Sequence, residues 1–167
     1  MVFPYGIREI KIISADDSQV ASLPASQKLD FSERFASAER NNYEGLVGVN
    51  TLLEAVEWSL EAGGISLDAH ALLMGAAVDV AGSTPNVRRS IRRRALDAMP
   101  YVKIYGRAVG DAGDAVHVLL FRCQVTSMEG SLAGQSFYVT SCSGLAIPDT
   151  AGDIWEVIEL ETDAVLL

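Results

Sequence analysis

The chain is poor in the side chains that do chemistry. Its 167 residues hold two histidines and two cysteines. Cys123 and Cys142 lie inside strand-like runs and not at metal-ligand spacing. Two cysteines exclude a disulfide-built scaffold, and the simplest origin for such a chain is a reducing cytoplasm. Neighbouring strands would allow a bridge between them, but free thiols are the expected state. Basic charge is also short: 13 Lys and Arg stand against 22 Asp and Glu, a net of −9. Grip on a phosphate backbone comes from Lys and Arg, so a nucleic-acid clamp is disfavoured. A protein that lets nucleic acid slide past is not. No apolar run reaches the ~20 residues of a membrane helix. The opening MVFPYGIREI lacks a basic head with an apolar core behind it, so no signal peptide is expected.

Catalytic patterns are missing as well. Glu61–Ala62–Gly63–Gly64 is not a phosphate-binding loop, and no Gly-x-Gly-x-x-Gly links a strand to a helix. Ser141, Ser143 and Gly144 lack the nucleophile-elbow spacing. No two carboxylates place themselves across a cleft. Asp68 and His70 are two apart on a helix and face away from each other. His117 lies in the strand AVHVLLF, where a half-buried or interface histidine is expected rather than a catalytic one. Neither an enzyme nor a bound cofactor or metal is supported.

What the chain does have is strand patterning. At 49% hydrophobic and 21% charged it is globular, and its length suits one domain, 1–167, with an arm at each terminus. The clearest stretch is VEWSLEAGGISLDAHALLMG, from Val56 to Gly75. Val56, Trp58 and Leu60 point one way, and Glu57, Ser59 and Glu61 the other, as on a half-buried strand. Gly63 and Gly64 stop it. Ser66 caps a short helix, Asp68 suits its positive end, and Gly75 ends it. Such a helix is too short to stand alone and must dock on a sheet.

Further strands are expected at Ile7–Ile13, Val20–Leu23, Lys28–Phe35, Ala76–Ala81, Tyr101–Val109, Ala115–Thr126, Phe137–Ile147 and Ile154–Leu160. Leu46 to Thr51 leads into the strand at Val56. In the strand from Lys28, Leu29, Phe31 and Phe35 share a face that Glu33 interrupts. The intervening stretches at 110–113 and 129–134 carry Asp, Gly and Ser, as hairpin loops do. Short loops between strands imply antiparallel pairing. The expected fold is mainly β: an antiparallel β-sandwich or barrel of roughly eight strands with one short flanking α-helix.

One charge anomaly remains. Arg88, Arg89, Arg92, Arg93 and Arg94 place five of the 13 basic residues within seven positions. Without them the chain carries −14, so an acidic surface awaits an Arg-rich segment. An inter-subunit contact therefore outweighs nucleic-acid binding.

The order of YGIREIKII, WSLEAGGISLDAHALLMG, GSTPNV, PYVKIYGRA, AVHVLLFRCQVTS, FYVTSCSGLAIPD and IWEVIELET resembles the major tail tube proteins of long, non-contractile tailed bacteriophages. The resemblance spans nearly the whole chain, and the Arg-rich segment matches none of its motifs. It implies a β-sandwich that forms hexameric rings, with inner sheets joined around a lumen. It implies a tape-measure protein in that lumen, tail terminator and tail tip proteins at the ends, and non-specific passage of double-stranded DNA. The location implied is the virion tail, with synthesis in the host bacterial cytoplasm. A related fold makes the tube of type VI secretion and the inner tube of contractile tails, which is the alternative. A soluble binding domain using the Arg-rich segment is a third reading.

On this reading Glu57 and Glu61, with Asp30 on a neighbouring strand, face the lumen, and Arg88 to Arg94 meet a neighbouring copy or ring. Six copies at −9 carry −54. Screening over about 8 Å confines the repulsion of DNA to the vicinity of the wall.

Overall fold

The computed structural model describes residues 4–23, 26–42, 45–64, 66–110, 113–131 and 139–163. The expected terminal arms lie outside these residues at 1–3 and 164–167, as do 132–138 of one expected loop and strand start. Among these residues ten strands and one helix follow in chain order: β1 (Pro4–Ser14), β2 (Val20–Leu23), β3 (Ser26–Asn42), β4 (Gly45–Gly63), α1 (Leu67–Met74), β5 (Val78–Ala81), β6 (Arg88–Ile91), β7 (Val102–Gly110), β8 (Ala115–Ser131), β9 (Val139–Ala146) and β10 (Trp155–Leu160). Every pairing is antiparallel.

Eight strands share one sheet, in the order β2-β1-β7-β8-β9-β4-β3, with β10 added beside β8. The sheet folds over at β8. Residues 115–120 of β8 lie between β7 and β10. Residues 123–131 pair with β9. One layer, labelled outer, is therefore β2-β1-β7-β8-β10, and the other, labelled inner, is β8-β9-β4-β3. Their facing sides bury a common core that includes Ile10, Ile12, Val56, Trp58, Leu60, Ile104 and Leu120. Leu29 of β3 lies across the interior against β7, 2.7 Å from where a Cβ on Gly106 would sit. The result is a β-sandwich, as the alternation of apolar residues predicts.

The helix is built as its sequence specifies. The Ser66 hydroxyl accepts from the Ala69 amide at 3.3 Å, and Gly75 adopts a left-handed φ of 67°. Ala69 and Leu73 are fully buried. The helix packs on β1 and β2, not on β4, the strand it follows. Gly63 and Gly64 carry the chain across to the far end of the outer layer.

Several expected boundaries shift. β3 and β4 run for 17 and 19 residues, well beyond the mean strand of ~5–6. β4 spans about 60 Å at ~3.3 Å per residue, and its distal half leaves the core. The Arg-rich stretch contains a strand, β6, which pairs only with β5. β8 continues to Ser131, into a stretch expected to be loop.

Candidate functional site

Three cross-sheet rows set the polar face of the inner layer. Lys28, Glu61, Ser141 and Glu129 stand side by side across β3, β4, β9 and β8. Asp30, Ser59, Ser143 and Ser127 form the next row, and Ser32, Glu57, Leu145 and Gln124 the third. Directly opposed residues share a face. The three carboxylates expected on one wall, Asp30, Glu57 and Glu61, do share one, and all are exposed. The face is concave: Asp30, Ser32, Arg34, Glu57, Ser59, Thr126, Ser143 and Leu145 line a depression of about 490 Å³.

The face is less acidic than those three residues suggest. Lys28 Nζ lies 2.5 Å from Asp30, and the bond to Asp30 holds the Lys28 ammonium above its ordinary pKa. Arg34 reaches Glu54 at 3.2 Å and Glu57 at 3.9 Å. These three rows, with the Arg34–Glu54 pair, hold five carboxylates (Asp30, Glu54, Glu57, Glu61, Glu129) against two cations (Lys28, Arg34). That is a net of −3, a third of the chain's −9.

Both edges of this layer are open. Among the described residues β3 pairs with β4 alone. Residues 125–131 of β8 pair with β9, and no strand lies along their other side among the described residues. Unpaired edges invite pairing with another chain. The distal β3–β4 ribbon adds exposed apolar groups: Phe35 is 53% and Leu52 63% exposed. Register places them on opposite faces of the ribbon, Phe35 opposite Leu53 and Leu52 opposite Ala36. Leu53 still packs against the core, but a ribbon with exposed apolar groups on both faces is marginal alone.

Glu33, which interrupts the apolar face of β3, has a partner 122 residues away. The Trp155 indole N–H donates to its carboxylate at 2.8 Å. The same indole packs against Phe31, with ring centroids 5.4 Å apart. Glu33 thus ties β3 to β10 and closes one side of the sandwich.

The five arginines do not act as one block. Arg89 donates to Asp68 of α1 at 2.6 Å, so this residue holds the β5–β6 ribbon to its own helix. The side chains of Arg88, Arg92, Arg93 and Arg94 form no ion pair among the described residues. Beside them Leu96 is 97% exposed, Val80 64% and Val87 49%.

Neither histidine stands in a reactive setting. His70 Nδ1 lies 2.9 Å from the Ser66 carbonyl, a contact at the helix start. His117 was expected half-buried or at an interface, and it is fully buried. Both faces of β8 are covered at this point, so alternation misreads its depth. Its Nδ1 meets the Tyr105 hydroxyl at 2.9 Å, and its Nε2 has no hydrogen-bond partner among the described residues. Burial pushes its pKa down, helped by the nearby Arg107 guanidinium. β8 and β9 are neighbours, but Cys142 stands opposite Met128, five positions along from Cys123, and both thiols are free. Among the described residues no three His, Cys, Asp or Glu gather as a metal site would require.

No family model matches the chain, and no curated protein matches it. Solved structures do. The chain is similar to a chain of the anti-feeding prophage tube-terminating cap, with a TM-score of 0.51 and 12% identity over 95% of this chain and 94% of the other. It is similar to a chain of the anti-feeding prophage baseplate, six-fold symmetrised, at 0.52 and 9% over 95% of each chain. It is similar to a chain of an extracellular contractile injection system, the PVC sheath–tube complex in its extended state, at 0.51 and 12% over 95% and 93%. The shared property is the fold, over nearly the whole length of each chain. It is a fold of phage-tail-like particles rather than one specific to non-contractile tails.

Proposed function

We propose that this chain is a structural subunit of a phage-tail-like particle, and that its copies close into rings which stack as a hollow tube. The observation that carries the reading is the inner layer: a concave polar face flanked by two open strand edges. Pairing β3 of one copy with residues 125–131 of the next satisfies both edges and continues the sheet. Six copies of a four-stranded layer then make a 24-stranded barrel with the polar face inward. The six-fold count follows the tail-tube resemblance and fits the six-fold symmetrised baseplate to which the chain is similar.

In such a ring Asp30, Glu57 and Glu61 face the lumen. At −3 per copy the wall carries −18, a third of the ring's −54. This suffices for a conduit, because phosphate is repelled within about a screening length and nothing on the wall grips it. The lumen holds a tape-measure protein during assembly and passes double-stranded DNA or another cargo later. Terminator and tip proteins close the two ends. The particle is made in a bacterial host and works as a virion tail or a released particle.

The inner tube of a contractile particle has one observation in its favour over a non-contractile tail: one of the similar structures is a sheath–tube complex. A sheath protein that binds the tube's outer surface separates the two. Negative-stain electron microscopy of the purified chain tests the shared reading. Hollow six-fold rings or tubes are expected. A protein that stays monomeric at millimolar concentration, or forms solid aggregates without a lumen, overturns it.

A further inference from the structure

The outer layer has opposite charges at its two ends. At one end α1 packs against β1 and β2 and holds the β5–β6 ribbon. That ribbon and the turn after it present the side chains of Arg88, Arg92, Arg93 and Arg94 without carboxylate partners among the described residues. Asp79 and Asp97 are the acidic groups beside Arg92 and Arg94, around a depression of about 340 Å³. At the other end β10 pairs, among the described residues, with β8 on one side only. Its exposed residues include Glu156, Glu159 and, just beyond it, Glu161, and none of the three forms an ion pair among the described residues.

Both ends also carry unfinished backbone and apolar surface. β5 and β6 are four residues each, pair only with each other, and bury no face. A ribbon this small does not hold its shape by itself in water. Leu96 is 97% exposed beside the arginines, and Val157 is 48% exposed on β10. The charge, the open edges and the apolar groups all complement each other end to end. They lie at opposite ends of one layer, so a single copy cannot bring them together.

We infer that the Arg88–Leu96 segment of one copy docks on the Glu156–Glu161 edge of a second copy, as a contact distinct from the inner-layer edges. Arginine forks match carboxylates in pairs, and β6, paired with β5, leaves one side for a strand edge such as that of β10. The carboxylates of the inner face are poorer partners, because Lys28 and Arg34 already hold Asp30 and Glu57. A contact between two different patches is head to tail, so it propagates around a ring or along a filament. This inference rests on the assembly reading and names the surface that completes it.

Charge reversal tests it. One chain carries R92E, R93E and R94E, and another carries E156K, E159K and E161K. Both remain folded, with the far-ultraviolet spectrum and monomer radius of the wild type, because every changed side chain is exposed. Each alone is expected to lose the assembled species in sedimentation velocity at low salt. The equimolar mixture regains it, because when the two variants alternate, ribbon and edge are opposite in sign at every contact. A chain carrying all six changes regains it by itself. If wild type assembles and either triple variant assembles equally well, this contact is wrong and the ring reading stands. If the singles fail and neither the mixture nor the six-fold variant recovers, the ribbon's partner is another surface and the inference falls. If wild type never assembles, the ring reading itself has failed.

Discussion

Gly144 is where the packing of the inner layer leaves least room. It stands on β9 between Trp58 of β4 and Val125 of β8. A Cβ at this position would lie 2.0 Å from the Gln124 carbonyl oxygen, 2.9 Å from the Gln124 carbonyl carbon and 2.7 Å from Trp58 Cζ2. Ordinary carbon–oxygen contacts sit at about 3.3–3.6 Å, so Gly144→Ala demands a shift of more than about 1 Å. β9 is hydrogen-bonded on both sides and has nowhere to go, and Trp58 is buried in the core. Overpacking costs about 1–3 kcal/mol, and backbone as the obstacle puts this case at about 3. For a chain of this length, with about 2–4 °C per kcal/mol, Tm falls by about 6–12 °C. Gly106 is the control. A Cβ there meets Leu29 Cδ2 at 2.7 Å, the end of a flexible side chain beside a depression of about 330 Å³. Gly106→Ala costs about 1 kcal/mol or less, or about 2–4 °C. Thermal unfolding followed by circular dichroism reads both, at a concentration where the variants are in the same state of assembly. A Gly144→Ala change no larger than that of Gly106→Ala refutes the reasoning.

Three further outcomes follow from the same structure. Ser66→Ala removes the cap on the Ala69 amide and lowers unfolding free energy by about 1 kcal/mol, measured by urea titration, whereas Ser66→Asp retains it. His117 has its folded pKa pushed below its unfolded value by burial. As pH falls through about 6.5 the unfolded chain takes up a proton that the folded one resists, so stability is full above that pH and declines below it. His117→Gln flattens this slope, and an unchanged slope in chemical denaturation at neutral and mildly acidic pH contradicts the assignment. The two thiols are raised by burial, Cys142 to about 12 and Cys123 further still. A maleimide is expected to leave both unmodified in the folded protein and to label both in denaturant, and rapid native labelling counts against their burial.

The parts of the fold legible in the sequence are those fixed by neighbours along the chain. Ser66, Asp68 and Gly75 specify a helix locally, and the helix is there. Val56, Trp58 and Leu60 alternate with Glu57, Ser59 and Glu61, and burial follows that alternation. The partner of Glu33 was not legible, because Trp155 meets it only through the closed sandwich. The length of β3 and β4 was hidden for the opposite reason. Phe35 and Leu52 lie exposed on opposite faces there, so no apolar alternation marks the extra length as strand. β6 escaped notice because a ribbon that buries no face leaves no apolar period. Of the candidate site, the shared face of Asp30, Glu57 and Glu61 could be read from strand alternation. The pairing of Asp30 with Lys28 and of Glu57 with Arg34 depends on side-chain reach and register, and Arg89 left the arginine group for the same reason.

The central claim is geometric: the concave face of the inner layer is the wall of a lumen. A three-dimensional reconstruction of the assembled protein by electron cryomicroscopy tests it most directly. The expected map shows a hollow six-fold ring with a continuous barrel in which β3 of each copy pairs with residues 125–131 of the next. In that map Asp30, Glu57 and Glu61 line the channel. A map with those three carboxylates on the outer surface, or buried between copies, contradicts the claim.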